Sequence, residues 1–89
     1  MSEPLLTAYI QGAMARASYA KLEDGSFCGR IPVCPGVITF EESLAGCREE
    51  LQSVLEGWLI LGLRSGDPLP VIDQIDLNEK AEDEPMVAV

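Results

Sequence analysis

Leu22-Glu23-Asp24-Gly25-Ser26-Phe27-Cys28-Gly29-Arg30-Ile31-Pro32-Val33-Cys34-Pro35-Gly36-Val37-Ile38-Thr39-Phe40 is the stretch that decides how this chain folds. Asp24-Gly25 between two segments is a strong hairpin signal, because glycine accepts the positive φ of a tight turn. That turn makes strands of residues 16–22 and 26–31, although Ala15 to Leu22 taken alone suits helix or strand. Pro32 and Pro35-Gly36 then interrupt regular pairing. Val37 to Phe40 is β-branched and aromatic, and reads as a third short strand.

Helices are expected on both sides of this sheet. Upstream, Leu6, Tyr9/Ile10, Ala13/Met14 and Ala17 recur at helical spacing, so residues 5–14 should form a short amphipathic helix, with Pro4 suited to its first turn. Downstream, Ser43 can cap a long helix over about 44–64, and Gly66 fits its end. Its expected inner stripe is Leu44, Cys47, Leu51, Val54/Leu55, Trp58 and Leu61, close to heptad spacing. The outer face begins polar and turns apolar at Leu59, Ile60 and Leu63. Either a second subunit or the first helix must cover that surface. Asp67-Pro68-Leu69-Pro70 is an extended link, and residues 71–77 read as a last edge strand with Asp73 turned inward. Residues 78–89 are charged, end in apolar Met86 to Val89, and are expected to be a disordered tail. The fold class expected is therefore α+β, in the order α-β-β-β-α-β, with one domain over residues 1–77 and its core in 15–77.

Charge narrows the possible partners. The chain has 89 residues and a formal net charge of -9. Residues 1–35 balance to zero. In residues 36–70, Glu41, Glu42, Glu49, Glu50, Glu56 and Asp67 stand against Arg48 and Arg64, giving -4. In residues 71–89, Asp73, Asp76, Glu79, Glu82, Asp83 and Glu84 stand against Lys80, giving -5. Nucleic-acid binding needs cations against phosphate, so direct RNA or DNA contact is not expected. A basic protein would be steered by such a surface, though acidity also serves plain solubility.

The commonest catalytic and metal-binding chemistry is missing. The sequence has no histidine, which removes the usual general base near neutral pH and the usual metal ligand. Cys28, Cys34 and Cys47 are odd in number and unpaired in spacing, so free thiols in a reducing cytoplasm are expected, with no zinc site. The start of the chain lacks the basic-then-apolar pattern of a secretory leader, and no apolar run reaches membrane-spanning length. Cys34, with Arg30 upstream, is either a reactive thiol or a small residue in a turn, and the turn is favoured. Glu41-Glu42 and Glu49-Glu50 flank the start of the long helix. They suit its dipole first, a protein partner second and a metal third. Trp58 suits either an interface or, preferably, the core. No enzyme and no cofactor are expected.

The stretch from Leu22 to Thr39 resembles the HicB antitoxin family, whose members tend to show an acidic-Gly turn, an aromatic strand ending in Ile-Pro, then Pro-Gly and a short strand. Leu55-Glu56-Gly57-Trp58-Leu59 resembles the pattern near the end of the family's capped helix, and Gly66-Asp67-Pro68-Leu69-Pro70 the segment after it. The likeness covers about residues 15–77. It implies a β-β-β-α-β core similar to a partial ribonuclease H fold. It also implies that the domain binds and neutralises a small basic HicA-type toxin that cleaves messenger RNA. Val33-Cys34 replaces the family's usual Asp-Leu, and Phe40-Glu41-Glu42-Ser43 its usual approach to the helix. Many members carry a DNA-binding domain after this core. Only a dozen residues follow Leu77, and as a stretch they are acidic, so operator binding by this chain alone is not expected. The candidate toxin contacts are Glu41, Glu42, Glu49 and Glu50. A homo-oligomer, a dimer or tetramer, is expected through Leu59, Ile60 and Leu63 or through a sheet edge. The rival expectation is an orphan oligomeric module of the same fold with a different protein partner.

Overall fold

The computed structural model describes residues 5–78. Pro4 lies outside them, as does the expected disordered tail over 78–89 except for its first residue, Asn78, which is part-buried and hydrogen-bonded to Leu69 and so belongs to the fold. The elements are α1 (Leu5–Ala15), β1 (Ser18–Lys21), β2 (Phe27–Arg30), β3 (Ile38–Glu41) and α2 (Leu44–Ser65). The strands form an antiparallel meander in the order β1-β2-β3, and α2 packs beneath β2 and β3. This is the expected α+β class.

Each connection has a local cause. Between β1 and β2, Glu23, Asp24 and Gly25 form a three-residue loop. The Leu22 N–H donates to Ser26 O at 2.7 Å and the Gly25 N–H to Leu22 O at 2.9 Å. Gly25 takes a φ of 91°, and Asp24 Oδ1 accepts from the Ser26 amide at 2.9 Å and its hydroxyl at 2.6 Å. The loop is one residue longer than a two-residue hairpin turn, and glycine takes the left-handed position it needs. Between β2 and β3 the chain makes two consecutive turns. The Cys34 N–H donates to Ile31 O and the Val37 N–H to Cys34 O. Pro35 followed by Gly36 at φ 98° is the type II pattern. Because each turn advances three residues, Ile31, Cys34 and Val37 all point into the core and are fully buried.

The sheet's inner face carries the row Tyr19–Gly29–Thr39 across the three strands. Gly29 is there because α2 comes too close for any side chain. A Cβ at that position would sit 2.8 Å from Cys47 Sγ and 3.1 Å from the Tyr19 ring. The helix is capped as expected. The Ser43 hydroxyl accepts from the Gly46 N–H at 3.0 Å. At the other end, Gly66 (φ 74°) and Asp67 donate back to Leu63 O and Gly62 O, closing a Schellman motif.

The expected strand over residues 71–77 is not a strand of the sheet. Ile72 and Ile75 exchange backbone hydrogen bonds of 3.2 and 2.8 Å across Asp73 and Gln74, whose φ values are 51° and 67°. Two successive positive φ angles mark a type I′ turn, so the chain reverses instead of extending. Asp73 does not turn inward. It projects outward and pairs with Arg16 at 2.8 Å, where both side chains are exposed and the pair is worth little.

Residues 67–78 return across the bottom of the fold and complete the core with Leu69, Ile72 and Leu77. Asn78 holds Leu69 by both backbone groups: its Oδ1 accepts from the Leu69 N–H at 2.9 Å and its Nδ2 donates to Leu69 O at 2.7 Å. The Tyr9 hydroxyl donates to Pro70 O at 2.6 Å.

The buried phenol makes a pH prediction. Burial first, then the neighbouring Cys34 and Asp76, pushes the Tyr9 pKa up to about 12 from 10.0. The fold thus favours the protonated phenol. Its contribution to stability is complete below about pH 10 and is lost as pH rises toward 12. Burial also raises the Cys34 and Cys47 thiols, so the decline should begin nearer their ordinary value of 9.0. Urea midpoints measured from neutral to strongly alkaline pH should hold level and then fall. Tyr9→Phe should cost about 1 kcal/mol at neutral pH through the lost hydrogen bond, and should flatten the upper part of that fall. An unchanged alkaline profile in the variant would show that Tyr9 is not its source.

Candidate protein-binding site

The long helix sets which residues can meet a partner. Its buried residues are Cys47, Leu51, Leu55, Leu59 and Gly62. The stripe therefore advances by fours from Cys47 to Leu59 and then by three to Gly62, in place of the heptad spacing expected. The cause lies at its end, where Leu69 folds back onto Gly62, with Leu69 Cδ2 only 2.8 Å from where a glycine Cβ would lie. That contact draws Leu59 and Gly62 inward. Leu59 is 2% exposed, so it belongs to the core and cannot serve the oligomer surface expected of it. Ile60 and Leu63 are exposed, as expected. Leu61, expected inside, is 66% exposed, and Leu44 also lies at the surface. Trp58 is half-buried against the core.

Glu41 closes β3 and is half-buried; Glu42, Glu49 and Glu50 are exposed. Glu41 and Glu42 stand together beside a shallow open depression of about 540 Å³ lined by Ser26, Phe40 and Ser43. Glu49 and Glu50 lie on successive faces of α2, about 9 Å along the helix from its start. The structure thus gathers two of the four into one rim and sets the other two along the outer helix. The first turn of α2 carries no acidic residue, so dipole complementation does not account for Glu49 and Glu50. None of the four makes a hydrogen bond or ion pair among the described residues, where the one ion pair is Arg16–Asp73. Their charge is left for solvent or a partner.

Cys34 is not a reactive thiol. It is fully buried in the turn, and desolvation raises its pKa, away from the thiolate that reacts. Among the described residues no three of His, Cys, Asp or Glu are grouped to hold a metal. No described helix is long and apolar enough to cross a membrane. A second depression, of about 480 Å³, runs between α1 and α2. Its floor is Ile10 and Met14 and its wall Arg48, Gln52 and Glu56. No sequence signal pointed to it, because it arises from how the two helices cross.

A three-stranded meander on one long helix, with an uncompensated acidic rim where they join, defines a small α+β domain. The chain belongs to the UPF0150-like family, whose model matches residues 8–70. That family is associated with HicB-like antitoxins, which gives the chain a toxin–antitoxin-related context. Among solved structures the chain is similar to TTHA0281 from Thermus thermophilus. The two are 37% identical with a TM-score of 0.77, over 84% of this chain and 94% of that one. Comparison with curated proteins gives no match.

Proposed function

We propose that this domain is a HicB-like antitoxin module that binds and neutralises a small basic HicA-type toxin cleaving messenger RNA, by stoichiometric masking and without catalysis of its own. The observation that carries the reading is the pair Glu41 and Glu42 at the β3–α2 junction, with Glu49 and Glu50 further along the outer helix, none of them in an ion pair among the described residues. A ribonuclease that grips RNA must display cations, and an acidic rim competes for that surface. Family membership supports the same reading.

The test is capture of partners from the native organism with the tagged full chain, followed by mass spectrometry and an RNA-cleavage assay. A small basic protein whose ribonuclease activity is titrated away by this chain is the expected result. Recovery of this chain alone, or of a partner without nuclease activity, would overturn the antitoxin reading and leave an orphan module. With the partner in hand, Glu41→Lys with Glu42→Lys should slow association roughly tenfold or more at low ionic strength, with the difference shrinking as salt is added. An association rate indifferent to both charge reversal and salt would remove the acidic rim from the interface.

A further inference from the structure

α1 is tied to the fold from one side. Its side-chain hydrogen bonds across the molecule are Tyr9 to Pro70 O at 2.6 Å and Arg16 to Asp73 at 2.8 Å, and both reach residues 67–78. Among the described residues no side-chain hydrogen bond or ion pair joins α1 to α2. What lies between the two helices is the depression of about 480 Å³. Ile10 and Met14, four residues apart and so neighbours on one face of α1, line it and are only half-buried. On the α2 side Gln52 donates to Glu56 at 3.1 Å, while Arg48 is exposed and has no ion-pair partner among the described residues. The depression thus offers an apolar strip beside an unused cation.

The chain leaves the described residues close to this helix. Asn78 is bonded to Leu69, Pro70 follows Leu69, and the Tyr9 hydroxyl sits on Pro70 O, so a short path of contacts leads from Asn78 to the residue before Ile10. Beyond Asn78 the sequence reads Glu79-Lys80-Ala81-Glu82-Asp83-Glu84-Pro85-Met86-Val87-Ala88-Val89. The eight steps from Asn78 to Met86 can span roughly 26 Å. That exceeds the whole of α1, whose 11 residues cover roughly 16 Å. The order of residues matches the depression. An acidic run, Glu82 to Glu84, precedes the apolar block Met86 to Val89, as Arg48 borders the strip of Ile10 and Met14.

We propose that residues 86–89 dock in the depression between α1 and α2 of their own chain, with Met86 and Val87 over Ile10 and Met14 and the acidic run beside Arg48. Burying apolar side chains against an apolar strip drives the contact, and opposite charge orients it. Methionine suits such a site, because its flexible thioether adapts to an uneven surface. The inference is independent of the antitoxin reading, since none of Glu41, Glu42, Glu49 and Glu50 takes part.

Other occupants fit less well. A basic partner is drawn to the acidic rim and not to the side of Arg48. A second copy would bring one chain of net charge -9 against another. A segment of the same chain needs no such approach, and tethering presents it at an effective concentration on the order of millimolar, so that even a small contact is populated. The consequence falls on α1. Residues 67–78 hold its Tyr9 and Arg16 face, and the docked segment covers its Ile10 and Met14 face. The helix is then gripped from two sides by one continuous stretch of chain.

The test is methyl NMR on the purified full chain with labelled methionine and valine methyls, compared with the double variant Met86→Ser with Val87→Ser. Both substitutions lie beyond Asn78, so every residue of the described fold stays in place. The expected result is a nuclear Overhauser contact between the Met14 methyl and those of Met86 or Val87, unchanged on dilution. In the variant the Met14 methyl should shift, and the α1 amides should exchange about tenfold faster while those of β2 hold. Arg48→Glu should weaken the contact, most at low ionic strength. A Met14 methyl and α1 amides indifferent to the double variant would overturn the proposal. A contact found only between differently labelled chains in a mixed sample would do so too, by making a second copy the occupant. So would a contact of Met14 that forms only when another protein is added.

Discussion

Leu59→Ala is expected to lower the free energy of unfolding by about 2–5 kcal/mol, whereas Ile60→Ala, one position on, should stay within about 0.5 kcal/mol. Leu59 is 2% exposed beneath the sheet and Ile60 is 53% exposed, so truncation leaves a cavity at the first and only solvent at the second. A domain of this size holds about 5–10 kcal/mol in all, so the first change takes a large share of it. Urea unfolding of both variants at neutral pH measures the contrast directly. Equal effects at the two positions would mean that α2 is rotated about its axis from the orientation described above.

The second large effect is expected at Gly29. Alanine there places a Cβ 2.8 Å from Cys47 Sγ and 3.1 Å from the Tyr19 ring, so the Cys47 side chain or α2 itself must give way. The cost should be about 1–3 kcal/mol, although alanine on its own suits a strand better than glycine. Cys47→Ala alone should cost modestly. Combined with Gly29→Ala it should recover much of the loss, because the removed sulfur vacates the space the new methyl needs. Residues in contact couple in this way, and a double-mutant cycle reads the coupling. Strict additivity would show that the strand tolerates the methyl by some route other than yielding space at Cys47.

The contrast between Leu59 and Leu61 also shows where the sequence could be read and where it could not. The hairpin at Asp24-Gly25, the Pro35-Gly36 turn, the Ser43 cap and the Gly66 terminus were all legible, because each rests on chemistry local to a few residues. The inward side of α2 was legible only from Cys47 to Leu55, since Leu44, expected inside, lies at the surface. Beyond that point it is fixed by Leu69 returning over Gly62, a contact between segments whose meeting no periodicity announces. The type I′ turn at Asp73-Gln74 was misread as strand because neither residue is glycine. The apolar residues around the turn, Ile72 and Ile75, satisfy strand and turn alike. Of the candidate site, the acidic residues were identifiable by type. That Glu41 and Glu42 form one rim while Glu49 and Glu50 lie on successive helix faces depends on where β3 ends and α2 begins in space.

The hydroxyl of Tyr9 reaches Pro70 across a sequence separation of 61 residues, and Arg16 reaches Asp73 across 57. Every strand pairing, by contrast, joins sequence neighbours. Closing the longer loop costs more chain entropy, so the meander and helix are expected to assemble through short loops before α1 meets residues 67–78. The same order runs backwards when the molecule opens. Residues 67–78 are the part that can leave first, baring Tyr9 and Ala13 while the sheet stays paired. Local opening is then expected first at the seam between α1 and residues 67–78, far from the strands that define the architecture.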